Sequence, residues 1–135
     1  PILWFSKLQE CISLNTMESE YIALSTAMKP LLHLRNLYFQ IADTMSLPFS
    51  RESRISTIFE DNQACIALAT TDPPRLTPRS KHIAVRYHWF RSHLSGPNSE
   101  IKIKYIQSEL NPADMFTKPL VKETFERCRA FTLGW

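Results

Sequence analysis

Cysteine is scarce in this chain: Cys11, Cys65 and Cys128 are odd in number, far apart, and form no Cys-x-x-Cys pair. That argues against a disulfide framework or a cysteine zinc knuckle and points to a reducing, intracellular setting, cytoplasm or nucleus. The histidines His33, His82, His88 and His93 show no zinc spacing either. No apolar run approaches the roughly 20 residues that cross a bilayer, and no signal-peptide pattern precedes the first structured stretch, so no membrane partner is expected. Internal repeats and low-complexity segments are absent. One further lack is local: no Asp or Glu occurs from 75 to 99.

What is present suits one folded domain. A chain of 135 residues that is 44% hydrophobic and 21% charged can bury a real core but not two. Residues 1–135 are therefore read as a single domain. The opening Pro1-Ile2-Leu3-Trp4, with no Met and no polar lead-in, reads as the continuation of something longer. The net charge of +3 is mild, and its distribution matters more.

Periodicity orders the elements. Ile2–Phe5 suits a short strand, which would need a neighbour to pair with. Thr16 is placed to cap a helix from Met17 to about Ala42, with Tyr21, Leu24, Met28, Leu31 and Tyr38 on one face. Pro30 removes a helical donor, which predicts a kink or two helices end to end. Residues 55–61 read as a strand, 62–69 as a short helix, and 82–94 as a second clear helix ended by Gly96-Pro97. Residues 101–106 alternate as a half-buried strand. Asn111-Pro112 opens a short helix through Phe116, and Lys122 to about Phe131 makes the last one. This alternation predicts an α/β fold, a mixed sheet with helices packed on it.

Three acids stand where such a fold assembles sites: Glu20 at a helix start, Asp61 at a strand end, and Asp114 in a first helical turn. On a helical wheel Glu20 lies with Leu24, Leu31 and Tyr38, and Glu18 points nearly the opposite way. An acid heading an apolar stripe is costly to bury unless a cation compensates it. Clustered carboxylates favour a hard ion, Mg²⁺ or Mn²⁺. Two such ions about 4 Å apart can support phosphodiester cleavage. The spacing leaves a second reading open: Asp114 also favours a helix N-terminus electrostatically, and Asp61 could cap the short helix.

Several segments, in order, resemble one family. They are Trp4 with Ser6-Lys7 and Gln9, Glu18-Ser19-Glu20-Tyr21-Ile22-Ala23-Leu24, Asp61-Asn62-Gln63, Lys81-His82-Ile83 with Tyr87-His88, and Ala113-Asp114-Met115-Phe116-Thr117-Lys118-Pro119-Leu120. Together they look like the ribonuclease H domain that ends the polyprotein of copia-type LTR retrotransposons, from Pro1 to about Leu120. The resemblance implies a ribonuclease-H-like mixed sheet flanked by helices. The activity it implies is hydrolysis of the RNA strand of an RNA–DNA hybrid by two Mg²⁺ ions held by four carboxylates. Glu20, Asp61 and Asp114 match three of these as catalytic and metal-binding residues. The family's first-strand aspartate would lie ahead of Pro1, so the resemblance makes Ile2–Phe5 the third strand of a domain whose first two precede it. A histidine found in cellular members has no counterpart around Ser108-Glu109-Leu110. Activity is thus expected of the intact parent, with the upstream reverse transcriptase region of the same polyprotein as partner. A module that binds nucleic acid or protein without cutting is the alternative.

The acid-free stretch carries Arg75, Arg79, Lys81, Arg86 and Arg91, interleaved with Tyr87, Trp89 and Phe90. Such a segment beside an acid cluster can hold a polyanion through its backbone. Arg79, Lys81 and His82 are the nucleic-acid candidates, with Asn62 and Gln63 placed to hydrogen-bond sugar or base edges. The apolar stripe Ile83, Tyr87, Phe90 and Leu94 is read as core.

Overall fold

A computed structural model describes residues 1–48, 54–71, 87–96 and 99–135. Helix α1 (Thr16–Thr44) comes first, followed by strand β1 (Ser56–Glu60), helix α2 (Gln63–Thr70), strand β2 (Ile101–Tyr105) and helix α3 (Lys122–Leu133). Short 3-10 turns at Trp89–His93, Ser108–Leu110 and Pro112–Phe116 fill the intervals. The fold is mixed α/β with helices around a small sheet. β1 and β2 pair in parallel, Ser56 opposite Ile101 and Glu60 opposite Tyr105. Parallel partners require a crossover rather than a hairpin, and α2 lies within it.

The core forms where α1 packs against α2 and the Trp89–His93 turn. Tyr21, Leu24 and Met28 of α1 meet Cys65 and Ala69 of α2, Phe90, and Ile101 of β2. Several polar groups beside them are paired. The Tyr21 hydroxyl hydrogen-bonds His88 Nδ1, and the Trp89 indole N–H donates to Ser25 Oγ at 3.0 Å. The Arg91 guanidinium donates to the Leu68 and Thr71 carbonyls at the end of α2. Burial pushes the Tyr21 hydroxyl up to about 12, against the opposing pull of Arg91.

Asn111 caps the Pro112–Phe116 turn, as its position suggests. Asn62, rather than Asp61, caps α2. Pro30 lies inside α1, which runs on as one helix. Residues 2–5 form no strand: Ile2 is 92% exposed, and the segment's aromatic anchor is Trp4 stacked on Phe116 at 5.4 Å. An isolated extended run has no ladder to join, which is why apolar content alone does not make it a strand. The expected 82–94 helix falls mostly outside the described residues, and its described end is the 3-10 turn at Trp89–His93.

A further correction concerns the start of α1. Asn15, not Thr16, is the N-cap: its Oδ1 accepts from Glu18 N–H at 2.9 Å. Glu18 Oε2 accepts in return from Leu14 N–H at 2.7 Å, a reciprocal arrangement close to a capping box. Glu18 is therefore the buried acid, 1% exposed, and Glu20 is half-buried. The wheel misplaced them because the buried stripe centres on Tyr21, Ser25 and Met28 rather than on Leu24 and Leu31.

Substituting Asn15→Ala is expected to cost about 1 kcal/mol of stability. Glu18→Gln should cost a similar amount, because a charged acceptor is lost. Thr16→Ala should stay within about 0.5 kcal/mol. Urea unfolding measures all three, and equal losses at positions 15 and 16 would contradict the cap assignment.

Candidate functional site

β1 ends in Glu60, and the chain turns at Asp61 into α2. Asn62 makes that turn possible. Its Oδ1 accepts from Cys65 N–H at 3.0 Å, while its own N–H donates to Glu60 Oε1 at 3.0 Å. With Asn62 as the cap, Asp61 is not used to start α2. Its charge instead acts on Glu20, Glu60 and Lys118.

The three acids singled out in the sequence come together electrostatically. Burial holds the Glu20 carboxyl above the usual range, and the nearby charge of Asp61 pushes it further; Lys118 opposes this, and Asp114 adds to it. Asp114, 9% exposed, is set by the Asn111-capped turn and paired with Lys118 Nζ at 2.9 Å. The Lys118 ammonium is held protonated chiefly by its hydrogen bond to Asp114, burial opposing, with Asp61 and Glu20 reinforcing it.

A fourth carboxylate belongs to the group and was not singled out in the sequence. Glu60 is 7% exposed, and burial pushes its carboxyl up to about 7, with Glu20 and Asp61 adding to the shift and the Asn62 N–H opposing it. Strict alternation along β1 would set Glu60 on the face opposite Asp61. The chain leaves the ladder directly after Glu60, so alternation no longer governs where Asp61 goes. The Cys65 thiol, hydrogen-bonded to Glu60, is raised by burial first and by Glu60 and Glu20 next.

Oxygen donors of the kind Mg²⁺ and Mn²⁺ take are thus concentrated here. Yet among the described residues no three His, Cys, Asp or Glu side chains are placed to hold one metal ion. A lysine already sits on Asp114. As arranged, these residues do not fit a bound metal. A separate cavity of about 340 Å³ lies between residues 5–10 and α1, lined by Ile22, Ser25, Tyr87 and Trp89, and none of the four acids borders it.

The nucleic-acid candidates divide. Arg79, Lys81 and His82 lie outside the described residues. Asn62 serves as the α2 cap, and Gln63, the first residue of α2, is exposed beside the cluster. His88 is held below its ordinary value by burial and then by Arg91, so it stays neutral against Tyr21.

Glu60 generates a pH dependence. Its folded-state value of about 7 exceeds the ordinary 4.5, so between those limits the folded chain binds more protons than the unfolded one. Stability should therefore fall as pH rises from about 4.5 to about 7. Glu60→Gln should remove about 1–3 kcal/mol of that fall. Thermal unfolding of both proteins across this range is the check, and identical slopes would contradict the buried placement of Glu60.

No protein-family model and no solved structure matches the chain. Curated proteins do. It is 33% identical over 128 residues to the "Retrovirus-related Pol polyprotein from transposon TNT 1-94" of Nicotiana tabacum, covering 95% of this chain and 9% of that polyprotein. It is 26% identical over 126 residues to the corresponding polyprotein from transposon RE2 of Arabidopsis thaliana, covering 93% of this chain and 8% of that one. It is also 25% identical over 126 residues to that from transposon RE1 of the same plant, again covering 93% of this chain and 8% of the relative. The chain thus spans under a tenth of the length of these relatives. It is homologous to a short segment of the Pol polyproteins of plant copia-type transposons.

Proposed function

We propose that the chain is part of a ribonuclease H domain that, within its intact parent polyprotein, hydrolyses the RNA strand of RNA–DNA hybrids during reverse transcription. The observation that carries this reading is the electrostatic influence of Asp61 and Asp114 on Glu20, three acids more than 90 residues apart in sequence at the extremes. Homology to transposon Pol segments supports the same reading. In the parent, the three acids would face the scissile phosphodiester, and the basic stretch around Arg79, Lys81 and His82, with Asn62 and Gln63, would hold the hybrid backbone. Mg²⁺, with Mn²⁺ as substitute, is the cofactor proposed for the parent. The described residues do not close on such an ion by themselves, so no step of the reaction is assigned to a metal here.

A second reading has an observation in its favour. With Lys118 paired to Asp114 and, among the described residues, no three ligands grouped for an ion, the chain also suits a module that binds nucleic acid or protein without cutting. The two readings place the protein in the same intracellular setting, beside the reverse transcriptase region of its polyprotein. No described helix is long and apolar enough to cross a membrane.

Incubating a labelled RNA–DNA hybrid with the parent polyprotein's C-terminal region, including this chain, separates them. Mg²⁺-dependent cleavage is expected, reduced roughly a hundredfold or more by Asp61→Asn. Binding of the hybrid with no cleavage, or cleavage indifferent to Asp61→Asn, would favour the second reading and end the first.

A further inference from the structure

Arg35 is a buried cation that no acid compensates. It lies on α1, 8% exposed, and its Nη1 donates to Ser56 Oγ at the start of β1, at 2.6 Å. Among the described residues no carboxylate pairs with Arg35 or with Arg54. Glu100 comes near, since its carbonyl accepts the Ser56 N–H at 2.9 Å, yet its carboxylate turns to His93 at 3.4 Å. A buried charge ordinarily has a counter-ion, because taking it out of water is costly. Arg35 has instead a neutral hydroxyl and the ring of Phe39, whose centroid lies 5.2 Å from its Cζ.

A second guanidinium shares that ring. Arg54 Cζ lies 5.8 Å from the Phe39 centroid, and Arg54 is exposed. Each cation is attracted to the ring, but the two repel one another. A guanidinium carries five donors in a rigid fork, and Arg35 gives one to Ser56. None of its nitrogens is an orphaned buried atom, so the remaining donors reach the surface. The patch therefore presents two forks of donors, partly fixed in place, with no anion between them.

We propose that Arg35 and Arg54 form a phosphate-binding site for the backbone of a nucleic-acid strand, at the start of β1 and away from the acids. The choice of anion rests on the nucleic-acid reading above; the place of the site rests on the arginines alone. Phosphate fits because its oxygens accept from a guanidinium two at a time, and two guanidiniums can share its charge. Ser56 and Phe39 hold the arginines before the strand arrives, which lowers the ordering cost of binding. Along α1, Arg35 is about 22 Å from Glu20, and Ser56 and Glu60 are the two ends of β1. The pair thus acts on how the strand is held and not on chemistry at the acids.

Fluorescence-anisotropy titration of the whole chain with a labelled RNA–DNA hybrid, repeated over a series of salt concentrations, tests this in the wild type, Arg54→Gln, Arg54→Lys and Arg35→Gln. Each lost phosphate contact should make the slope of log affinity against log salt shallower by about one. Arg54→Gln is expected to show that change and to bind roughly three- to tenfold more weakly near 0.1 M salt. Arg54→Lys should keep the wild-type slope, because the charge remains, and Arg35→Gln should behave as Arg54→Gln does. Arg54 is exposed, so Arg54→Gln decides the matter even where Arg35→Gln does not fold. Wild-type slope and affinity in Arg54→Gln overturns the inference and leaves the nucleic-acid reading standing. A wild type that binds no hybrid overturns both. A final arm uses the wild type alone: the hybrid should shift the Arg35 Nε–H resonance, and a shift with inorganic phosphate but none with the hybrid would assign the pair to a free anion and overturn the inference.

Discussion

Four carboxylates, Glu20, Glu60, Asp61 and Asp114, gather near the carboxyl end of β1, and the repulsion felt by Glu20 and Glu60 is the constraint around which the neighbouring structure is organised. Each device nearby offsets part of it. Glu60 takes a proton readily and accepts the Asn62 N–H. Asp114 holds a lysine. Glu20 stays half-buried, where water still screens it. Such an arrangement does not arise from packing alone, because burying like charges costs stability.

The frame that holds these acids is small. A parallel pair of five-residue strands is joined through α2, and α1 packs on α2 and the Trp89–His93 turn through the shared core of Tyr21, Met28, Cys65, Phe90 and Ile101. Because β1 is followed immediately by a capped helix, the carboxyl end of the sheet and the start of α2 meet at one point. α1 delivers Glu20 there from the side, and the Asn111-capped turn delivers Asp114. Homology to transposon Pol segments that are many times longer than this chain fits a part that acts within a larger protein.

Much of this was legible from residue order. The cap written as Asn111-Pro112 marks its element because a side-chain oxygen just ahead of a free N–H is a local signal. The alternation of Ile101, Ile103 and Tyr105 is equally local. What could not be read depended on partners distant in the chain. Ile2–Phe5 has strand composition but no strand to pair with among the described residues. The choice between Glu18 and Glu20 turned on a cap one residue earlier than Thr16, and on which wheel sector meets Phe90 and Cys65. Glu60 was passed over because alternation treats a strand end like its middle. Lys118 was quoted only as part of a motif, although its place four residues after Asp114 is an ordinary spacing for an ion pair.

The central claim is that Glu20 and Asp61, far apart in sequence, share one electrostatic site. Carbon-13 NMR titration of the Glu20 side-chain carboxyl, in the wild type and in Asp61→Asn, tests it directly. The wild-type midpoint should lie above the ordinary carboxylate range, and removing the Asp61 charge should move it downward. A midpoint at the ordinary value, or one that does not respond to Asp61→Asn, would contradict the account.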